Sequence, residues 1–207
     1  IVEKVGEGVT TVKKGDCVVL HWRSSKGIQS NVPIYRKNNK NINAGWVTTF
    51  NEMAVVSENR LTSIPKDIDL RSATLFGCSL TTGFGVVNND AKIKIGESTV
   101  IIGMGGVGLC VAQACKLVSS YPIIGVDIHN SKLILGKKHG LTHQIKYSKT
   151  NFINNLEKIL NSPFADNVIE TTGISEMIEL SYKVTSAKGI TILVGVPKKP
   201  ISIYSLP

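Results

Sequence analysis

The sequence predicts an α/β protein, in which a strand-rich region is followed by a parallel sheet with helices on its faces. From Ser98 onward, short apolar, β-branched runs alternate with stretches of helical spacing, and strands that alternate with helices form parallel sheets. Before about residue 65, β-type runs are separated by turn signals such as Lys14-Gly15-Asp16. The chain has 207 residues, enough for one full domain and part of a second.

The first part of the chain is predicted to be barrel-like. It has a strand pattern at Cys17-Val18-Val19-Leu20 and a second β-type run from Phe50 to Val56. The basic segment from Tyr35 to Lys40 is interpreted as an exposed loop. Residues 65–69 are interpreted as a linker, and residues 70–76 have the apolar spacing of a helix.

The second part is predicted to contain five strands. Thr99-Val100-Ile101-Ile102 is typical of a strand buried on both faces. The other predicted strands are 123–126, 144–147, 168–170 and 190–194, and the predicted helices are 107–118, 131–139, 152–160 and 175–184. A complete doubly wound sheet of this kind has six strands, so we expect about five of six, with no terminal helix after Ile201. Because Ile1 opens what resembles the middle of a strand, we also expect truncation at both ends.

The composition argues against nucleic-acid and membrane partners. The net charge is +9, but the lysines are scattered and no aromatic residues alternate with them, which favours a solvated surface. No apolar run approaches the roughly 18 residues of a membrane span, and no signal peptide is recognisable. The four cysteines have no CxxC spacing, and Cys110 and Cys115 are predicted to be buried in a helix. We therefore expect a cytoplasmic protein.

A glycine-rich turn carries the predicted chemistry. The segment Gly103-Met104-Gly105-Gly106-Val107-Gly108 matches G-x-G-x-x-G between a predicted strand and a predicted helix. Gly103 allows a tight turn, Gly105 allows the backbone to approach a pyrophosphate closely, and Gly108 allows the helix to pack closely on the strand. Anions are favoured at a helix N-terminus. The sequence therefore predicts a Rossmann-type parallel sheet.

Asp127 predicts which dinucleotide is bound. It ends the predicted strand after the motif, where a carboxylate accepts hydrogen bonds from the ribose hydroxyls and repels a 2′-phosphate. We therefore expect NAD rather than NADP. Two alternatives remain: a methyltransferase that binds S-adenosylmethionine, and a glycine-rich turn with a nearby surface aspartate and no ligand.

Three segments together resemble the zinc-containing medium-chain alcohol dehydrogenases, including the glutathione-dependent formaldehyde dehydrogenase branch. They are residues 6–18 (GEGVTTVKKGDCV), residues 77–85 (GCSLTTGFG), and the Gly103–Gly108 motif with Gly125-Val126-Asp127. The resemblance covers nearly the whole chain. It implies that residues 1–76 are the C-terminal part of a GroES-like β-barrel catalytic domain. Residues 77–207 would then be an NAD-binding Rossmann domain that lacks its final strand.

The resemblance also implies site residues, taken position by position. Cys78 matches a catalytic zinc ligand, and Thr82 lies beside the nicotinamide. The resemblance implies that the pyrophosphate is bound by Gly103, Met104, Gly105, Gly106, Val107 and Gly108, and that the adenosine ribose is bound by Asp127 and Lys132. It also implies that Val194, Gly195 and Val196 line the nicotinamide pocket, and that Val107 lies behind the nicotinamide ring. The implied activity is hydride transfer between a small alcohol or aldehyde and NAD, in a homodimer or homotetramer.

The sequence departs from the family pattern at both zinc sites. A catalytic zinc takes three protein ligands, of which this chain supplies only Cys78. The resemblance implies that the other two ligands lie upstream of Ile1. His21 is a poor substitute, because a lone histidine is more often hydrogen-bonded, and the remaining histidines lie around the second Rossmann helix (His129, His139 and His143). In the family, a structural zinc is held by four cysteines in a lobe that would fall between Leu20 and Phe50. No cysteine lies in this interval, so no structural zinc is expected.

Three hypotheses about function follow. The first is a zinc-type alcohol dehydrogenase whose chain, as given, is inactive alone. The second is a dinucleotide-binding module without catalysis. The third is a zinc-free reductase of the same superfamily, in which Cys78 is a packed thiol.

Overall fold

The computed structural model describes residues 1–198, 200 and 201. The chain divides into two compact units, Ile1–Cys78 and Ser79–Pro207. The expected absence of a helix after Ile201 concerns Ser202–Pro207, which lies outside the described residues. The assignment of residues 1–76 and 77–207 to two named domains stays a prediction.

The first unit is built from short strands, one short α-helix and two 3₁₀ helices. The strands and the α-helix are β1 (Cys17–Leu20), β2 (Ile34–Lys37), β3 (Lys40–Asn43), β4 (Leu61–Ile64) and α1 (Leu70–Ala73), and the 3₁₀ helices are Glu58–Arg60 and Thr74–Gly77. Strands β1 and β4 pair antiparallel, as do β2 and β3. The Asp69 side chain accepts hydrogen bonds from the N–H groups of Arg71 and Ser72 and so begins α1. The predicted strand at Cys17–Leu20 and the predicted helix after residue 69 are confirmed.

Two predictions for the first unit are wrong. The segment Tyr35–Lys40 is not a loop but part of a hairpin, whose turn residues Asn38 and Asn39 have φ angles of 50° and 60°. Asparagine tolerates this left-handed region, as a two-residue hairpin turn requires. The run Phe50–Val56 is not a strand, and Phe50 and Val55 are exposed. β-Branched composition alone therefore did not identify a strand there.

The buried carboxylate of Glu58 joins distant parts of the first unit. One oxygen accepts the N–H groups of Thr10 at 2.8 Å and Thr11 at 2.7 Å, and the other accepts that of Ile28 at 2.8 Å. These bonds, that of Ile28 first, lower the pKa of Glu58 from 4.5 to about 2. Three segments that are far apart in sequence are thus held by one ionised side chain.

The guanidinium of Arg60 lies over two tryptophan rings. Its guanidinium carbon lies 5.7 Å from the ring centroid of Trp22 and 5.3 Å from that of Trp46. A guanidinium over an indole face is attracted by the ring quadrupole. The side chain of Gln29 accepts a hydrogen bond from Arg60 Nε at 3.2 Å, so the stack is also held from one edge.

The second unit alternates strands and helices. It contains α2 (Ser79–Gly85), β5 (Thr99–Ile102), α3 (Gly106–Leu117), β6 (Ile123–Asp127), α4 (Asn130–Lys138), β7 (His143–Lys146), α5 (Phe152–Leu160), β8 (Ala165–Glu170), α6 (Ser175–Lys183) and β9 (Thr185–Leu193). Among the described residues these strands form a five-stranded sheet of order β7-β6-β5-β8-β9, with every pair parallel. The predicted α/β class and five-stranded parallel sheet are confirmed.

Helices cover both faces of the sheet. All four residues of β5 are buried, as expected of a central strand. One core cluster joins Ile101 to α3, and the other joins Val100 to Phe152 and Leu156 of α5.

Helix α2 was not predicted, because two glycines and two threonines in seven residues give it weak helix propensity. None of the helices in the described residues combines the length and the apolar composition that a membrane span requires.

The two helical cysteines are buried, as predicted. Cys110 is 5% exposed and Cys115 is fully buried in α3. Burial raises the pKa of Cys110 and raises that of Cys115 to about 12. Both thiols are thus held in their neutral form by the core.

Candidate functional site

A cleft of about 380 Å³ opens at the carboxyl end of the parallel sheet. The chain runs from β5 to β6 and β7 on one side of the sheet and then crosses to β8 on the other. Ligands of open α/β sheets bind at such a change of direction. The cleft is lined by Ile102, Gly103, Gly105, Gly106, Val107, Val126, Asp127, Ile128, His129, Lys132, Tyr147, Thr171, Thr172, Ile174 and Met177.

The glycine-rich turn joins β5 to α3 at the floor of this cleft. Gly103 has a φ of +94°, which a residue with a side chain rarely adopts. A Cβ on Gly108 would collide with the carbonyl oxygen of Gly103, so only glycine allows α3 to begin so close to the strand. By contrast, no atom lies within 4 Å of a Cβ built on Gly105. Since Gly105 lines the cleft, its missing side chain leaves space for a ligand.

Asp127 ends β6 and faces the same cleft. Its Oδ2 accepts the N–H of Met104 at 2.9 Å, and its Oδ1 accepts the N–H of His129 at 2.9 Å. Lys132 Nζ lies 3.6 Å from Oδ2. Burial acts to raise the pKa of Asp127, but these hydrogen bonds and the lysine charge outweigh it and hold the pKa below its usual value. The cleft therefore contains a carboxylate that is ionised at neutral pH.

Glu170 supports the opposite wall, although sequence reasoning missed it. Its side chain is fully buried and accepts hydrogen bonds from the N–H and hydroxyl of Thr172 and from the N–H of Gly173. Its backbone carbonyl accepts the N–H groups of Val194 and Gly195. The turn after β8 and the turn after β9 are thus fastened to one residue.

Six of the predicted site residues lie together in the cleft wall: Gly103, Gly105, Gly106, Val107, Asp127 and Lys132. Met104 is buried beneath it, and Gly108 packs against the strand. Of the described residues, Thr82, Val194, Gly195 and Val196 are not part of this wall. Thr82 is half-buried on α2, whereas Val196 is 85% exposed. Their roles at the nicotinamide stay predictions.

Sequence reasoning also missed several wall residues: Ile128, His129, Tyr147, Thr171, Thr172, Ile174 and Met177. Most follow the carboxyl ends of β6, β7 and β8. The rule that ligands of such sheets bind beyond these ends would have identified the neighbourhood. Single apolar or hydroxyl side chains carry no sequence motif, so the rule could not have identified the individual residues.

The described residues do not fit a zinc site. Among residues 1–198, 200 and 201, no group of three or more His, Cys, Asp or Glu side chains is arranged to hold a metal ion. Cys78 is exposed at the end of the first unit. His21 uses both ring nitrogens in hydrogen bonds, at 2.7 Å to the carbonyl of Arg23 and 2.9 Å to the hydroxyl of Thr62. Its side chain is thus hydrogen-bonded, as expected of a lone histidine.

Comparison with known proteins gives consistent matches. A family model described as zinc-binding dehydrogenase matches residues 106–207. Alcohol dehydrogenase 6 of Peromyscus maniculatus is 31% identical over 94% of this chain, and alcohol dehydrogenase 1 of Trifolium repens is 31% identical over 96%. The chain spans 59% and 60% of the length of these two relatives.

Solved structures show the same likeness over nearly all of the chain. An alcohol dehydrogenase zinc-binding domain protein from Burkholderia ambifaria aligns with a TM-score of 0.84 at 25% identity, covering 99% of this chain and 62% of that one. Benzyl alcohol dehydrogenase from Acinetobacter calcoaceticus aligns with a TM-score of 0.78 at 26% identity, with the same two coverages. Over nearly all of its length, the chain is thus similar to zinc-type medium-chain alcohol dehydrogenases, and residues 106–207 match the family model.

Proposed function

We propose that the cleft of the second unit binds NAD. The observation that carries the proposal is the ionised carboxylate of Asp127 in the same cleft wall as the turn Gly103–Gly106. Glycines allow the backbone to approach a pyrophosphate, and a carboxylate at the end of the next strand accepts both hydroxyls of a ribose.

The residues of the turn would bind the pyrophosphate through the backbone. The first N–H groups of α3 have no partner within the helix, and the helix dipole adds to their attraction for an anion. Asp127 would orient the ribose, with Lys132 beside it. A 2′-phosphate would bring negative charge against Asp127, which favours NAD over NADP.

We further propose that this binding serves the reaction of the family, oxidation of a small alcohol or reduction of an aldehyde. When bound, nicotinamide supplies the hydride acceptor or donor. Val107, Thr82 and the segment 194–196 are proposed to surround the ring. Cys78 is proposed as one zinc ligand, although the described residues do not form a complete metal site.

The test of NAD binding is a fluorescence titration of the chain with NADH and with NADPH. We expect NADH to bind more tightly by about tenfold or more, since like-charge contacts cost several kcal/mol. Asp127→Gly should weaken NADH binding relative to NADPH. Asp67→Gly, an exposed aspartate of the first unit, is the matched control and should change neither. An unchanged preference in Asp127→Gly would remove the assignment.

A second candidate function is dinucleotide binding without turnover. It requires only the cleft of the second unit, whose wall contains the glycine-rich turn and Asp127. Alcohol oxidation by this chain with added zinc distinguishes the two: turnover would exclude a purely binding role. In a longer protein that contains this chain, zinc near one atom per chain would exclude the zinc-free reductase.

A further inference from the structure

We propose that Tyr147 recognises the base of the bound dinucleotide. Its hydroxyl oxygen accepts a hydrogen bond from the exocyclic amino group of adenine and so selects adenine over hypoxanthine. The inference rests on the proposed binding of NAD in the same cleft, and it assigns a role to a residue that the glycine-rich motif does not include.

The position of Tyr147 follows from the register of the sheet. Asp127 pairs with Lys146 between β6 and β7, and the N–H of the next residue, Tyr147, donates to the carbonyl of Asp127 at 3.0 Å. Tyr147 also lines the cleft. Because the pyrophosphate belongs at the Gly103–Gly106 turn and the ribose at Asp127, the base must extend beyond Asp127. Tyr147, the first residue after β7, thus lies beside Asp127.

The surrounding wall is suited to a flat aromatic base. Ile128 follows β6 and Ile174 follows β8, and both line the cleft with 60% and 57% of their surface exposed. Met177 of α6 adds a third apolar side chain. Exposed apolar side chains that line one cleft gain free energy when a ligand covers them. Such a wall gives affinity for any purine, so discrimination between purines requires a polar group.

The hydroxyl of Tyr147 is such a group, and its hydrogen has a partner outside the cleft. It donates to Glu176 Oε1 at 3.5 Å, and Lys149 Nζ lies 3.2 Å from the same oxygen. These three residues line a smaller cavity of about 190 Å³, so Tyr147 belongs to the walls of both cavities. Its ring packs against Phe152, with 5.8 Å between the centroids.

The direction of this hydrogen bond determines which base is preferred. Burial and the charge of Glu176 raise the pKa of Tyr147, so the hydroxyl keeps its proton at neutral pH. With that proton directed to Glu176, the oxygen presents lone pairs. The adenine amino group is a donor and matches them. Hypoxanthine has a carbonyl oxygen at the same position, which would face the lone pairs and the nearby carboxylate.

The test compares NADH with its reduced hypoxanthine counterpart by fluorescence titration of the full chain. We expect a preference for NADH of about tenfold, the equivalent of one hydrogen bond of ~1.4 kcal/mol. Tyr147→Phe keeps the ring against Phe152 but removes the acceptor, and its preference should fall to within about twofold. Glu176→Gln, which can donate to the hydroxyl, should also reduce the preference. The matched control Tyr182→Phe, an exposed tyrosine of α6 outside the cleft, should retain it.

The results distinguish the role of Tyr147 from the binding of NAD. Equal binding of the two dinucleotides by the unaltered chain, or an undiminished preference in Tyr147→Phe, would overturn the role of Tyr147 and leave NAD binding intact. Binding of neither dinucleotide by a chain that unfolds cooperatively would overturn both proposals. Loss of the preference in Tyr182→Phe would mean that the effect does not depend on Tyr147.

Discussion

Replacing Gly108 by alanine tests the close contact between α3 and β5. In a helix, this change ordinarily stabilises by about 0.5–1 kcal/mol. At Gly108, however, the new methyl group would overlap the carbonyl oxygen of Gly103, a backbone atom that cannot rotate away. Overpacking of this kind costs about 1–3 kcal/mol, so we expect a net loss of about 1–2 kcal/mol in the free energy of unfolding. The shifted turn should also weaken NADH binding.

Two other glycines provide matched controls. Gly85 has helical dihedral angles of −61° and −44°, and the atom nearest to a new Cβ is 3.9 Å away, so Gly85→Ala should not destabilise the chain. Gly105→Ala meets no atom within 4 Å and should leave stability unchanged while weakening NADH binding. Urea unfolding and NADH titration measure the two effects. If Gly108→Ala were as stable as the unaltered chain and bound NADH equally well, the assignment of close packing to this glycine would be refuted.

Three further predictions concern other parts of the chain. Because the pKa of Glu58 falls from 4.5 to about 2 on folding, its contribution to stability should be complete above pH 4.5 and lost as the pH falls towards 2. Glu58→Gln should lower the melting temperature at pH 7 and flatten this acid dependence; an unchanged profile would contradict the role of the carboxylate. Cys110 and Cys115 should resist iodoacetamide at pH 8 until the chain is unfolded, as followed by mass spectrometry, and rapid labelling of the native chain would contradict their burial. Asn39→Ala should destabilise the hairpin by about 1 kcal/mol, because alanine disfavours a φ of 60°, and equal urea midpoints would count against this.

The parallel sheet was predictable because its signals are local. The run Thr99–Ile102 is β-branched and apolar throughout, and the helix Phe152–Leu160 has strong periodicity, so both were placed with the correct type. Strand β9 was predicted to begin at Ile190 but begins at Thr185, and its pairing with β8 is irregular between Thr185 and Ile190. Its early residues are mixed in polarity, and pairing with β8 determines their conformation.

The first unit was less predictable because its structure depends on contacts between distant residues. The strand Leu61–Ile64 has little apolar alternation and is defined by pairing with residues 17–20. Glu58 has no local signature, since its partners are 30 to 48 residues away. At the candidate site, the glycine turn and Asp127 were identified by a motif, whereas Tyr147 and Glu170 depend on which strand ends meet. No pattern along the chain shows which strand ends lie side by side in the sheet.

The stacking of Arg60 has a spectroscopic consequence. The chain contains two tryptophans, and both lie against this guanidinium in the first unit. Intrinsic tryptophan emission therefore follows the first unit, whereas the fluorescence of added NADH follows the cleft of the second. Recorded on one sample during urea unfolding, the two signals give a separate midpoint for each unit. Coincident midpoints would show that the units unfold as one cooperative system, and distinct midpoints would measure their independence.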